Sequence, residues 1–96
     1  MPTYVTLVNF TDQGIRNVKD SPERLAAFKA MAEKHGVAVK NSWYTVGSFD
    51  IVVVVEGPDE AVTAALLKEG SKGNVRTQTL RAFSAEEMKK IIGGLS

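Results

Sequence analysis

Ninety-six residues, 44% hydrophobic and 24% charged, suit one domain (1–96) built on a single core and are too few for two. Twelve basic and eleven acidic residues nearly cancel, which argues against a dedicated nucleic-acid binder with its concentrated positive charge. The chain has no cysteine for disulfide or thiolate chemistry, and no apolar run fit to span a membrane or to act as a signal peptide, so the expected setting is the cytoplasm.

Residues 4–10 read as the first strand and are largely apolar on both parities, which predicts a central place in a sheet. Residues 11–20 form a polar connection with room for a turn of helix around Ile15. Ser21-Pro22-Glu23 predicts a helix start: Ser as N-cap, Pro at the first helical position, an acid against the positive helix end. Leu25, Phe28, Met31 and Ala32 make its apolar stripe, and Gly36 is the expected left-handed terminator. Residues 37–46 are more polar, with Lys40, Asn41 and Ser42, as suits an edge strand.

Gly47-Ser48 predicts a two-residue hairpin turn, with Gly supplying the positive φ. It leads into residues 51–55, all β-branched and apolar, stiff at χ1 and suited to a pleated surface. Phe49, Ile51, Val53 and Val55 fall on one face, Val52 and Val54 on the other, so both faces are expected to be buried. Gly57-Pro58-Asp59-Glu60 opens a second helix, with Val62, Ala65, Leu66 and Glu69 on one face and an end near Gly70 or Gly73. Residues 74–82 make a last strand polar enough for the other edge. Ser84-Ala85-Glu86-Glu87 is a capping box, with Phe83 and Met88 spaced as a hydrophobic staple. Met88, Ile91, Ile92 and Leu95 stripe the final helix.

The order βαββαβ plus a C-terminal helix predicts an α+β fold, the ferredoxin-like plait: a four-stranded antiparallel sheet in spatial order 4-1-3-2. The two main helices cover one sheet face and leave the other apolar face open. The last helix spans about 15 Å and reaches only a corner of it. A second copy's sheet is therefore the expected cover, giving a homodimer or a multiple of one.

The run Thr6-Leu7-Val8-Asn9-Phe10-Thr11-Asp12-Gln13-Gly14-Ile15-Arg16 resembles the N-terminus of the GYD-domain proteins. Gly73-Asn74-Val75-Arg76-Thr77-Gln78-Thr79-Leu80-Arg81-Ala82-Phe83 is similar to their C-terminal strand. The resemblance covers nearly the whole chain. In Gly47-Ser48-Phe49-Asp50, Phe stands where the family's tripeptide has Tyr, so any role of that hydroxyl is absent. The resemblance implies a dimeric α/β barrel joined sheet to sheet, and no established activity.

Asp50 enters the central strand on the Val52/Val54 face, where a carboxylate at a barrel mouth could act as a general base. Its plainer use is to accept hydrogen bonds from turn amides. Asn9 interrupts an apolar strand and, where buried, needs a partner. Arg16 and Lys19 in the following connection, with Arg76 on the last strand, suit a small anionic organic ligand; charge that protects a sheet edge is the plainer account. Arg76 and Arg81 face opposite sides of the sheet, as do Trp43 and Tyr44, and Trp43 is a candidate pocket wall. His35, the only histidine, suits a helix C-terminus and makes no zinc set without cysteines, so neither a metal nor a cofactor is expected. Residues 51–55 lack the aromatics of RNA-binding sheets. Three functions fit: a homo-oligomeric module, binding a small molecule or regulatory; a small cofactor-independent enzyme of monooxygenase or isomerase type using Asp50 or Asn9; or an assembly protein without ligand. A ligand-sized cavity separates the first two from the third.

Overall fold

The computed structural model describes residues 1–95. The elements run β1 (Thr3–Phe10), α1 (Asp12–Arg16), a 3-10 turn (Val18–Asp20), α2 (Ser21–Lys34), β2 (Ala38–Tyr44), β3 (Ile51–Glu56), α3 (Asp59–Ser71), β4 (Val75–Ala82) and α4 (Ala85–Gly93). The sheet order is β2-β3-β1-β4 with every neighbouring pair antiparallel, the ferredoxin-like plait with its two apolar strands inside.

Burial alternates along β3. Ile51, Val53 and Val55 are buried and join Val8, Phe28, Ala32, Val62 and Ala65 in the core beneath α2 and α3. Val52 and Val54 point the other way and are only half-buried. The chain's own helices therefore account for one face of the strand that reads as buried on both. The last helix does not fold across the open face: none of its residues is buried, and its contact with the rest of the chain is marginal. Because α4 stands off, the molecule measures 52 × 31 × 18 Å, and its radius of gyration is 14.7 Å, against about 12.5 Å for a compact chain of this length.

Three local expectations are corrected. The hairpin between β2 and β3 is not a two-residue turn but a loop over residues 45–50. Gly47 has the expected positive φ of 136°. The backbone N–H of Asp50, however, donates to the Val8 carbonyl (2.8 Å), which draws that residue towards β1 and ends the β2–β3 ladder at Tyr44 and Ile51. Thr45 closes the loop, its N–H donating to the Asp50 carbonyl at 2.8 Å and its hydroxyl to that of Phe49 at 2.6 Å. Ser21 is not the N-cap of α2, because the 3-10 turn runs straight into the helix and puts Asp20 there without a side-chain bond. Its buried hydroxyl instead meets the Tyr44 hydroxyl at 2.8 Å. Asn9 is half-exposed on the open face and needs no internal partner in the single chain.

A clamp joins the chain's two ends of resemblance. Thr11 caps α1 by accepting from the Gly14 N–H (3.1 Å), while its own hydroxyl donates to the Gly73 carbonyl (2.5 Å) and its N–H to the Asn74 carbonyl (3.1 Å). Gln13 donates to the Lys72 carbonyl (3.1 Å) and the Asn74 side chain (2.9 Å). Gly73, with φ of 86°, supplies the left-handed residue between α3 and β4.

The capping box of α4 forms as expected: Ser84 accepts from the Glu87 N–H, and Glu87 accepts from the Ser84 N–H at 2.8 Å. That backbone bond holds the Glu87 carboxyl below its usual pKa. A carboxyl with a lowered folded-state pKa stabilises the folded form above its unfolded pKa, about 4.3. The contribution is lost as pH falls through the lower folded value. The protection factors of the first-turn amides of α4, which are exchange rates corrected for their intrinsic pH dependence, are expected to fall in that acid window, and in a Glu87→Gln variant this fall is expected to vanish.

Candidate functional site

Two regions concentrate polar or apolar groups beyond what packing requires. The first is the layer between helices and sheet. Here a cavity of about 50 Å³ is lined by Thr6, Phe28, Ile51, Leu66, Glu69 and Thr77, among others. Such a space accommodates a few water molecules; pockets for organic ligands start near ~300 Å³. Around it Thr6 pairs with Thr79 (3.2 Å), Ser21 with Tyr44 (2.8 Å), and Glu69 with Lys72 (3.4 Å). Glu69 is 8% exposed. Its signal was legible in the sequence, as an acid on the apolar stripe of α3.

The second region is the open sheet face. Parity and register together place Val5, Leu7, Val52 and Val54 at its centre. Trp43 pairs with Val52, and Leu80 with Val5, so these two larger side chains flank the centre on the edge strands. Trp43 is 52% and Leu80 44% exposed. Charge lies at the two ends: Arg76, beside Asn9, at the β1 C-terminal end, and Glu56, beside Thr3, at the opposite end.

The residues marked in the sequence are thus divided. Asn9 and Arg76 are direct cross-strand partners, and Trp43 shares their face with Val52 and Leu7 between. Arg16 lies at the end of α1 and Lys19 in the 3-10 turn, both exposed. Among the described residues neither is hydrogen-bonded to Asn9 or Arg76. Their segment is tied to α2 instead, by Arg24 donating to the carbonyls of Asn17 (2.9 Å) and Gly14 (3.2 Å). Asp50 accepts the Phe10 N–H at 2.9 Å, so its carboxylate holds the end of β1. Arg81, on the helix side, lies over the rings of Tyr4 (5.7 Å) and Phe83 (4.2 Å). His35 takes the C-cap position of α2. No helix among the described residues is long and apolar enough to cross a membrane.

Comparison with known proteins places this geometry among relatives. The GYD domain family model matches residues 4–92. A protein of Thermus thermophilus named "Glutamine synthetase and cystathionine beta-lyase binding protein" is 36% identical over 90 residues, 92% of this chain and 95% of the relative. The crystal structure of TTHA0845, also from Thermus thermophilus, superposes with a TM-score of 0.52 at 25% identity, over 88% of this chain and 96% of that one.

Proposed function

The chain belongs to the GYD-domain family, and from that premise we propose that it is a regulatory protein-binding module which pairs with a second copy of itself through the open sheet face. The observation that carries this reading is the uncovered apolar centre of that face, Val5, Leu7, Val52 and Val54, flanked by exposed Trp43 and Leu80. Contiguous exposed apolar surface of this kind marks contact with another macromolecule. The cavity beneath the helices, at about 50 Å³, is too small to enclose an organic acid.

Four strands spaced ~4.8 Å apart and about eight residues long make a face of roughly 500 Å². Two such faces bury roughly 1,000 Å², at the lower end of specific interfaces. Charge chooses their alignment. A two-fold axis across the strands sets the Glu56 end of one copy against the Arg76 end of the other. An axis along the strands sets like ends together and brings Glu56 towards Glu56. Both alignments pack the four central side chains on their counterparts, so complementarity selects the first.

The relative's name adds the partner class: this module, too, docks on metabolic enzymes such as glutamine synthetase or cystathionine beta-lyase. The test uses both enzymes, purified from the protein's own source, with immobilised dimer. Saturable binding to at least one, competed by free protein, is the expected result. Absence of binding to either, with the dimer intact, would overturn the partner assignment.

A further inference from the structure

We propose that the free edge of β4 is where the module grips its partner protein, adding an extended segment of that protein to the four-stranded sheet as a fifth strand; this rests on the protein-binding reading above. The ladder with β1 shows which backbone groups are free. Thr11 and Asn74 stand opposite each other just beyond the last registered pair, Phe10 with Val75, and the Thr11 N–H donates to the Asn74 carbonyl. Hydrogen-bonded pairs recur at every second residue of an antiparallel ladder. Arg76, Gln78, Leu80 and Ala82 therefore bond to β1, while Val75, Thr77, Thr79 and Arg81 turn their N–H and carbonyl groups outward. Among the described residues no other backbone group bonds to these four. Such a row, repeating about every 7 Å, matches one kind of occupant, another extended backbone.

The two edges of the sheet differ in how far they resist an added strand. β2 is interrupted by a register shift between Val39 and Asn41 and carries Lys40. β4 pairs with β1 over all eight of its residues without a shift, and it has neither Pro nor Lys to block an added strand. Pairing through the open face leaves this edge uncovered, because the edge lies in the plane of the sheet.

The surroundings of the edge define the segment it takes. Thr77 and Thr79 lie opposite the buried Val8 and Thr6, so the odd-numbered residues of β4 point to the helix side. Alternate side chains of an added strand point the same way, and there α3 and β4 leave a groove of about 620 Å³. Val62, Leu66, Leu67 and Val75 line it, and Leu67 is 69% exposed. The segment that fits is apolar at every second residue and polar between, where Arg76 and Gln78 are its neighbours on the other side of the sheet. Shape separates this occupant from a second copy of the chain. Joining two β4 edges sets one groove against another and leaves both unfilled, whereas a single extended chain enters one.

The test is selection of a phage-displayed random heptapeptide library on the immobilised full-length protein, with a Thr77→Pro variant as the counter-target. The Thr77 N–H points outward, so proline there keeps the bonds to β1 and removes a donor from the free edge. An unchanged circular dichroism spectrum checks that the variant folds, and Leu67→Lys, at an exposed position, provides a second variant. Peptides selected on the parent are expected to be apolar at every second position and to bind either variant roughly tenfold or more weakly. They are also expected to slow amide exchange at Thr77 and Thr79. Selected peptides that bind the variants as well as the parent, or no selected peptide at all, would overturn the proposal. So would a smaller oligomer for Thr77→Pro than for the parent in light scattering, which would place a second copy on the edge. Failure here and failure of the protein-binding reading are distinguishable. An enzyme that binds parent and Thr77→Pro alike shows docking elsewhere on the module and overturns only the edge. An edge that selects peptides while neither enzyme binds overturns only the choice of enzymes.

Discussion

Leu7→Glu is expected to dissociate the proposed sheet-to-sheet dimer while leaving the chain folded. Leu7 sits at the middle of the open face, between Val52 on β3 and Gln78 on β4, and is only half-buried in the single chain. A carboxylate there stays solvated in the monomer. In the face-to-face pair it faces apolar side chains, and burying an unpaired charge costs several kcal/mol. Symmetry places two such charges in each dimer. At about 3 kcal/mol each the loss is about 6 kcal/mol, or more than ~10⁴-fold in dissociation constant. Sedimentation velocity at micromolar concentration should show a monomer with an unchanged circular dichroism spectrum. A Leu7→Glu protein that remains dimeric would place the contact elsewhere on the surface.

Gly14→Ala should be the most destabilising single methyl group in the chain. A Cβ at this position would lie 1.9 Å from the Asn74 carbonyl oxygen and 2.9 Å from its carbonyl carbon. The obstacle is backbone, so α1 and the α3–β4 connection must move apart. That motion breaks the Thr11 bonds to Gly73 and Asn74 and the Gln13 bond to Lys72. Alanine's helix propensity returns up to ~1 kcal/mol, but overpacking and the lost hydrogen bonds cost more, for a net loss of about 3 kcal/mol. For a domain of this size the melting temperature should fall by roughly 12–24 °C. A Gly14→Ala protein melting within ~2 °C of the parent would mean that the clamp contributes little to stability.

These two sites also mark what a sequence can and cannot tell. The β-branched run in β3, the capping box at Ser84 and the left-handed Gly36, at φ 81°, are local signals, and each appears where it was read. Side-chain parity is local too, so Trp43 and Tyr44 do face opposite sides. Register is not local. That Asn9 lies across from Arg76, and Glu56 at the far end of the same face, depends on pairing between strands distant in the chain. The wide loop before β3 has the same origin: besides Thr45 across the hairpin, Asp50 bonds Val8 and Phe10, about forty positions away. Gly14 looks unremarkable until the chain returns at Asn74. The stripe of α4 was legible, but that the helix would stand off with none of its residues buried was not. Glu69 was visible as an acid on an apolar stripe, and its pairing with Lys72 shows how that acid is accommodated.

The alignment of the two sheet faces is open to direct measurement through the charges at their ends. Glu56→Arg and Arg76→Glu, each alone, set like charges against each other twice per dimer, and each variant is expected to dimerise roughly 10- to 100-fold more weakly. Mixing the two variants restores both opposite-charge contacts in a heterodimer. Native mass spectrometry of the equimolar mixture is expected to show that heterodimer as the dominant dimer, with affinity near that of the parent protein at low salt. Single variants that dimerise as tightly as the parent, or statistical mixing, would contradict the alignment of the Glu56 end of one copy with the Arg76 end of the other, because an axis along the strands sets like charges together already in the parent.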